Sequence, residues 1–494
     1  MPRVVTTSSA MRRVSLYFAL VAFLCLWFAD LSVFQPDGGN ELSRMALGLV
    51  TPNFWSWQTL GKGLLITLAF AIQGVSLAAV AGFTFALLYR RRAIRLLCAF
   101  LRSVHELFWA LLFMQVFGLS NLTALLALTL PYSGTLAKIY GELFEETDPS
   151  PKQSLSIRSK QTLSQFFYTT LPLAWPAMVS YTRYRLECGI RSSIVLGFVG
   201  LPTLGFYLDT AIKQGQYSDA AALLYTLILA IFCLRWWLRL KLIPIYVLAA
   251  FIFLPPVASV DWALFWQFFT VDLVPAPLRG ATSVSFGEWL WRLSSSQIGP
   301  GLINTLLVGQ IALVVTGVFA LIWFPLNSPW FLPGWRQRLG DGLLIVVRTI
   351  PEVVLSFIGI LLMGPSMLPA ILALSIHNGA IIAHLVGGVS ENLVLREDAC
   401  QGVMRYAYEI LPRVYRQFLA FLFYRWEIIM RETALLGILG IPTLGFYIDS
   451  AFEALFFDRA LLLILVAAGL NMLVDQVAHT IRNRMHLKTT PESL

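Results

Sequence analysis

Two stretches of this sequence are nearly identical. Residues 197–211 read GFVGLPTLGFYLDTA and residues 437–451 read GILGIPTLGFYIDSA, at an offset of 240 residues (437 minus 197). The same offset relates the step Leu171-Pro172 to the step Leu411-Pro412. So many matches at one spacing predict an internal repeat. Because each copy places glycine and proline at the start of an apolar run, we expect a broken helix at both junctions.

The composition predicts a polytopic membrane protein. Of 494 residues, 57% are hydrophobic and only 13% are charged, and the mean hydropathy is +0.72. Soluble globular domains lie well below these values. The apolar runs are long enough for helices to cross the bilayer, and no alternating pattern indicates a barrel, so the predicted fold class is all-α.

Hydropathy predicts about twelve transmembrane helices in two six-helix repeats, residues 1–240 and 241–494. The repeat continues upstream of the junctions, where His105-Glu106-Leu107 matches Pro351-Glu352-Val353 at an offset of 246 (352 minus 106). The predicted spans are 14–34, 63–88, 94–117, 121–139, 190–208, 218–236, 242–260, 301–325, 344–363, 366–386, 430–450 and 460–481.

The distribution of basic residues predicts that both termini lie in the cytoplasm. With the N-terminus inside, thirty of the 36 lysines and arginines (36 minus six) lie on the cytoplasmic side. Two long internal loops follow, at about 140–189 and 387–429, and each carries helical periodicity that ends in Leu-Pro. We expect these loops to contact a soluble partner.

Several functional classes are excluded. The net charge of +9 comes from short basic runs beside apolar segments, which is typical of membrane topology and not of nucleic-acid binding. The five cysteines are scattered, so neither a disulfide framework nor a metal site is expected. The chain has no phosphate-binding loop of its own and no catalytic motif, so we do not expect an enzyme.

One hypothesis for a membrane protein of this kind is an ion-coupled secondary transporter with duplicated repeats. Such a transporter needs ionisable groups deep in its helices. The candidates are Glu106, Glu352, Asp209 and Asp449. All four lie near predicted helix ends, where a carboxylate can stay solvated or cap a helix. Ion coupling is therefore the alternative to the hypothesis that the internal loops support below.

The internal loops carry a more specific signal. The second loop reads REDACQGVMRYAYEILPRVYRQ (396–417), with an acidic residue, small residues, Gly402, and a helix that we expect to end at Pro412. This loop resembles the E-A-A…G…I-x-L-P loop of ABC importer permeases. With the flanks 106–120, 148–172, 183–200 and 424–440 included, the chain resembles the permease of phosphonate-type ABC importers over nearly all of both halves.

This resemblance implies the ABC importer permease fold, with two permease domains fused in one chain of the bacterial inner membrane. It implies a separate cytoplasmic ABC ATPase dimer that holds ATP and Mg, a periplasmic or lipid-anchored solute-binding protein, and no cofactor in this chain. The implied ATPase-coupling residues are Gln153, Ser159, Leu171, Pro172, Glu397, Ala399, Gly402, Leu411 and Pro412. In the first loop Gln153 and Ser159 replace the family's glutamate and glycine, so coupling is expected to be stronger in the second.

The substrate path is expected to run past the two junctions. Proline and glycine within a span leave backbone groups without helical partners, which is tolerated beside protein or a water-filled cavity. Close helix packing explains the glycines almost equally well. The residues in question are Gly197, Gly200, Pro202, Thr203, Gly205, Gly437, Gly440, Pro442, Thr443 and Gly445. The resemblance implies a phosphonate or related oxyanion as cargo, although no dense cationic ring lines the predicted spans.

Overall fold

The chain is helical throughout the part that its computed structural model describes. That part comprises residues 2–33, 38–148, 150–151, 162–253, 261–280, 283–396, 401–485 and 487, and it contains no β-strand. The helices of eight residues or more are α1 (Pro2–Leu26), α2 (Gly38–Val50), α3 (Trp57–Leu87), α4 (Arg92–Ser103), α5 (Glu106–Phe117), α6 (Asn121–Glu146), α7 (Leu171–Val195), α8 (Leu204–Lys213), α9 (Tyr217–Phe232), α10 (Ile243–Phe253), α11 (Phe286–Leu293), α12 (Gly299–Trp323), α13 (Trp335–Thr349), α14 (Glu352–Met363), α15 (Met367–Glu391), α16 (Leu411–Leu435), α17 (Leu444–Glu453) and α18 (Phe457–Arg484).

The order of these helices reflects the internal repeat. Each of the helices α1 to α9 has a counterpart nine places later, so that α3 corresponds to α12 and α7 corresponds to α16. The prediction of an all-α fold is thereby confirmed.

Five helices in the described ranges are long and apolar enough to cross a membrane, or up to nine if each bent pair counts as one span. Two shorter apolar helices, α9 and α10, add to these. The predicted number of twelve spans is therefore not confirmed. A hydropathy window detects apolar residues, but it does not detect where the helix axis turns.

Four predicted spans are bent pairs. The run 94–117 divides into α4 and α5, which meet at 89°, and the run 344–363 divides into α13 and α14, which meet at 83°. At the first bend His105 is extended, and its ring accepts a hydrogen bond from the backbone N–H of Leu107. At the second bend Pro351, which has no N–H to donate, precedes α14. The predictions of single helices over these two runs were wrong.

The internal loops are shorter than predicted. Helices α6 and α7 occupy most of 140–189, and α15 and α16 occupy much of 387–429. These helices continue past their apolar parts into polar residues such as Arg183 and Glu187 in α7. Only the apolar part of such a helix registers in a hydropathy window, which explains the difference.

The chain divides into two compact units. The first unit is Leu47–Thr270, and its core includes Phe70, Phe108 and Ile190, all of which are fully or almost fully buried. Helix α10 packs on α3 within this unit. The first helix of the second repeat thus belongs to the compact unit of the first repeat.

The second unit comprises Met1–Ala46 and Val271–Leu494. Its core includes Phe324 and Leu374, and α1 packs on α12 and α16 within this unit. The ring of Phe18 in α1 lies 5.1 Å from that of Phe423 and 5.0 Å from that of Trp426. The predicted domains 1–240 and 241–494 concern the repeat in the sequence, and they stay a prediction.

Candidate functional site

The first junction joins α7 to α8 through a break. A 3-10 turn, Leu196–Val199, follows α7, and Gly200 adopts a left-handed conformation with φ of +98° that ends it. The N–H of Thr203 donates to the carbonyl of Leu201 across Pro202, which reverses the chain in a γ-turn before α8 begins. The two helical segments meet at 52°. The broken helix expected from the sequence is present.

The second junction repeats this geometry in the other unit. The 3-10 turn is Leu436–Leu439, Gly440 has φ of +87°, and α16 and α17 meet at 45°. The N–H of Thr443 donates to the carbonyl of Ile441 over 2.6 Å. Nearly identical sequence therefore folds into the same local structure in two separate units.

Close backbone contact explains two glycines at each junction. A Cβ atom on Gly205 would lie 1.9 Å from the carbonyl oxygen of Ile194, and one on Gly445 would lie 1.5 Å from that of Ala434. A Cβ atom on Gly197 would lie 2.2 Å from the backbone nitrogen of Phe206. No side chain fits at such distances, so these positions require glycine.

A threonine from another helix caps each helix that follows a junction. The first N–H groups of an α-helix have no partner within the helix. The hydroxyl of Thr67 in α3 accepts from the N–H of Leu204 over 2.9 Å, and it donates to the carbonyl of Gly63 over 2.7 Å. In the second unit, Thr305 in α12 accepts from the N–H of Leu444 over 3.0 Å and donates to Gly301 over 2.7 Å.

Sequence reasoning missed these two threonines. Their offset is 238 residues (305 minus 67), and both belong to a G-x-x-x-T pattern that begins at Gly63 and at Gly301. The missing Cβ at each glycine gives space to a tyrosine, because a Cβ on Gly63 would lie 3.1 Å from Tyr207. A search of each apolar run for repeated polar residues would have detected them.

The residues predicted for the translocation path divide between two units. Thr203 and Thr443 are both 0% exposed, and the Thr443 hydroxyl donates to the carbonyl of Thr433 over 3.2 Å. The structure therefore gives these junctions a packing role inside each unit. The path itself stays a prediction for the ten residues Gly197, Gly200, Pro202, Thr203, Gly205, Gly437, Gly440, Pro442, Thr443 and Gly445.

A buried polar cluster in each unit includes one residue just upstream of the junction, Ser192 in the first unit and Glu432 in the second. In the first unit, the Ser192 hydroxyl donates to Glu106 Oε1 over 2.5 Å, and the Tyr132 hydroxyl lies 2.8 Å from Ser192 Oγ. In the second unit, Asn378 Nδ2 donates to Glu432 Oε2 over 3.0 Å. The clusters join α5, α6 and α7 in the first unit and α15 and α16 in the second.

A small polar cavity of about 170 Å³ adjoins α8 in the first unit. Its lining includes Ser56, Thr59, Thr210, Gln214 and Asp219, and Asn53 Nδ2 donates to Asp219 Oδ1 over 2.7 Å. Among the described residues, no lysine or arginine lines it. The cavity therefore offers hydroxyl, amide and carboxylate groups, but no positive charge for an anion.

The Leu-Pro steps of the internal loops begin helices. A π-helical segment, Phe166–Thr170, continues directly into α7, where Pro172 is the second residue. Another, Arg405–Ile410, continues into α16, where Pro412 is again second. The expectation that Pro412 ends a helix was wrong. Proline lacks an N–H and fits the first turn of an α-helix, and the wide π turn leaves space for its ring.

Of the remaining predicted coupling residues, the structure describes Gly402, which lies just before the second of these segments. Gly402 has φ of +63°, and a Cβ there would have nothing within 4 Å. The predictions at Gln153, Ser159, Glu397 and Ala399 lie outside the described residues. At the start of the first loop, the hydroxyl and the N–H of Ser150 both donate to Asp148, which lowers the pKa of that carboxyl.

Comparison with known proteins assigns the chain to a family. A model of the binding-protein-dependent transport system inner membrane component matches residues 17–267, which is just over half of the chain. The chain belongs to this family of ABC importer permeases. No solved structure matches the permease significantly.

Curated relatives are phosphorus-compound permeases by name. The permease is 23% identical over 490 residues to the phosphate-import permease protein PhnE of Mycolicibacterium smegmatis, covering 91% of this chain and 90% of the relative. It is 27% identical over 227 residues to the phosphite transport system permease protein PtxC of Stutzerimonas stutzeri, covering 44% of this chain and 82% of the relative. It is 32% identical over 107 residues to a putative cryptic phosphonate transport system permease protein of Escherichia coli, covering 22% and 88%.

These matches agree with the resemblance found in the sequence. One relative matches both halves of the permease, whereas the phosphite permease protein corresponds to less than half of it. The chain is a multi-pass inner-membrane transport subunit. Members of the family work with an ATPase and a substrate-binding protein in general.

Proposed function

We propose that this chain supplies both permease halves of an ATP-driven importer for a small phosphorus oxyanion such as phosphate, phosphite or a phosphonate. The duplicated junctions, which repeat one geometry in two compact units, are the observation that carries the proposal of two halves. The names of the relatives support the class of cargo.

Both termini and both internal loops lie in the cytoplasm in this proposal. With the twelve spans predicted from the sequence, thirty of the 36 basic residues then lie inside, which agrees with the positive-inside rule. A cytoplasmic ATPase dimer, which holds ATP and Mg, docks on the internal loops, and a periplasmic or lipid-anchored binding protein delivers the substrate outside.

Matched exposed residues support the ATPase contact. In the first loop Leu163 is 66% exposed and Tyr168 is 81% exposed, and in the second loop Val403 and Tyr408, each 240 residues later, are 81% and 74% exposed. Repeated exposed apolar and aromatic side chains beside basic residues are typical of a protein-binding surface. We expect Glu397, Gly402 and Pro412 to act in coupling at the second loop.

Substitution of Gly402 tests this contact. Gly402→Trp is expected to leave ATP hydrolysis running while uptake falls, because a bulky side chain projects into the space reserved for the ATPase. Gly402→Asn is the first control, since asparagine tolerates a positive φ. Gly280→Trp is the second, since Gly280 has φ of +69° and equally open surroundings on the proposed outer side. We expect Ser159→Trp in the first loop to be milder, and normal coupled uptake by Gly402→Trp would contradict the proposal.

Reconstitution tests the driving force and the cargo. The chain with its ATPase and binding protein in vesicles should accumulate phosphite, phosphate or a phosphonate when ATP is present. Accumulation driven by an ion gradient without the ATPase would instead support the secondary-transporter alternative. If the cognate binding protein bound only sugars, peptides or metal ions, the oxyanion assignment would be abandoned.

A further inference from the structure

Helix α4 presents a basic surface at its beginning. Four of the six residues from 90 to 95 are arginine, and all four arginines are exposed. The later turns of the helix are buried at Cys98 and Leu101, and they pack so closely on α6 that a Cβ on Gly134 would lie 2.5 Å from the Cys98 carbonyl oxygen. The helix is therefore held in place by its later turns, and its arginines are exposed at its beginning.

No described residue neutralises this surface. Among the residues that the structure describes, the side chains of Arg90, Arg91, Arg92 and Arg95 have no hydrogen bond, ion pair or ring contact. Four like charges this close repel each other, and an external anion would relieve that repulsion. Binding of an anionic partner to these arginines would therefore be electrostatically favourable.

Leucines adjoin the arginines. Leu96 is 61% exposed and Leu97 is 42% exposed, directly after Arg95. Helix α4 turns through 89° into the apolar helix α5. If α5 points into the bilayer, α4 runs along its surface. A helix in that position with cationic and apolar side chains on its outer side suits the boundary between lipid headgroups and acyl chains.

The counterpart helix in the second unit carries only half of this surface. At an offset of 246, Arg90 and Arg92 correspond to the exposed Arg336 and Arg338, whereas Gln337 and Asp341 occupy the positions of Arg91 and Arg95. Gln337 Nε2 donates to Glu391 Oε1 over 2.6 Å, and Asp341 lies 2.6 Å from His384 Nδ1. Two of the four positions in α13 thus make contacts inside their own unit, so the four-arginine surface is not a general consequence of the repeat.

We propose that the arginine surface of α4 binds anionic phospholipid headgroups, with the guanidinium groups on the lipid phosphates and the leucines at the acyl boundary. Arginine matches phosphate with a fork of N–H donors. An acidic surface on a protein partner would pair with the arginines, but it would not bury the exposed side chains of Leu96 and Leu97. In the proposed orientation, these lipids belong to the cytoplasmic leaflet.

Native mass spectrometry of the full-length chain tests this proposal without any transport assay. The purified protein is incubated with equal amounts of phosphatidylglycerol and phosphatidylcholine, and the bound lipids of each kind are counted. We expect a preference for phosphatidylglycerol that falls with added salt and survives an excess of inorganic phosphate. Each Arg→Gln change at positions 90, 91, 92 and 95 should lower the affinity about fivefold.

Two variants control for charge and insertion. R12Q/R13Q/R336Q/R338Q removes four exposed arginines elsewhere, two of which are the counterparts of Arg90 and Arg92, and should keep the preference. R90K/R91K/R92K/R95K keeps the topology signal and should keep most of the preference. If R90Q/R91Q/R92Q/R95Q is not recovered in the membrane, the lipid preference of the four single Arg→Gln variants tests the proposal instead. Equal lipid preference in the wild type and the glutamine variants, or equal loss in the control, would overturn the proposal. Loss of ATPase binding with unchanged lipid preference would assign the surface to the ATPase instead.

Discussion

The two units share a backbone at their junctions but differ in the polar residues beside it. Ser192 in the first unit corresponds to Glu432 in the second, at an offset of 240, and Tyr132 corresponds to Asn378, at an offset of 246. In the first unit a hydroxyl donates to Glu106 Oε1. In the second unit an amide donates to Glu432 Oε2.

This difference separates residues that helix packing determines from residues that only need to supply a hydrogen-bond donor. The glycines at 205 and 445 and the threonines at 67 and 305 have the same contacts in both units, because helix approach leaves no other choice. A buried carboxylate only needs donors, and a serine hydroxyl or an asparagine amide can supply them. The polar pairs can therefore differ while the fold stays the same.

The largest expected effect is the loss of a junction glycine. Gly445→Ala and Gly205→Ala place a methyl group against a backbone carbonyl that cannot rotate away. We expect destabilisation of more than about 4 kcal/mol, beyond ordinary overpacking. SDS unfolding monitored by circular dichroism measures it, and Gly469→Ala, where a Cβ meets nothing within 4 Å, is the matched control. Native-like stability of either junction variant would contradict the close approach.

The second-largest effect is expected when polar residues of the first unit are replaced by their counterparts from the second unit. Ser192→Glu places a second carboxylate where the serine oxygen is 2.5 Å from Glu106, and we expect a loss of about 3 kcal/mol from the uncompensated charge. Adding Tyr132→Asn copies the second unit and should restore about 1 kcal/mol, because the amide can donate to the new carboxylate. A double-mutant cycle in the unfolding assay measures this coupling. Strict additivity would show that the two positions do not act as a pair.

Removal of a threonine cap should have a smaller effect. Thr67→Val or Thr305→Val leaves a buried N–H without an acceptor and should cost about 2 kcal/mol, whereas the serine variants should cost far less. Thr316→Val is the control, because Thr316 is equally buried in α12 and its hydroxyl has no hydrogen bond to any described residue. An equal loss in Thr316→Val would attribute the effect to burial of a methyl group and not to the cap.

The smallest effect concerns Asn304, which has no polar counterpart. Its side-chain Nδ2 donates to the carbonyl of Pro442 over 2.8 Å, and the residue 238 positions earlier is Ile66. Asn304→Ile should destabilise the protein by about 1 kcal/mol, the value of one ordinary hydrogen bond. The reverse change Ile66→Asn should show whether the first junction accepts the same bond. A stabilising effect of Asn304→Ile would mean that burial of the amide costs more than its bond contributes.

The sequence predicted the repeat, the fold class and both broken helices, because the glycine and proline pattern near 197–211 and 437–451 has local consequences. It did not predict the right-angle bends at Val104 and Ile350, since the polar stretches RSVHE (102–106) and RTIPE (348–352) are too short to interrupt the hydropathy average of their apolar neighbours. It placed Pro412 at the end of a helix, whereas Pro412 lies at the start of α16. A Leu-Pro step is compatible with either end of a helix.

The sequence alone determined that this chain is an all-α membrane protein built from a duplicated permease half. Apolar content, charge distribution and repeated motifs are properties of the linear chain, and the membrane constrains the backbone to helices. Only the tertiary structure decided that Thr67 and Thr305 cap α8 and α17, that α1 packs in the second unit and that the arginines of α4 have no described partner. The reason is that each of these facts depends on contacts, made or absent, between residues far apart in the chain, and no local pattern encodes such contacts.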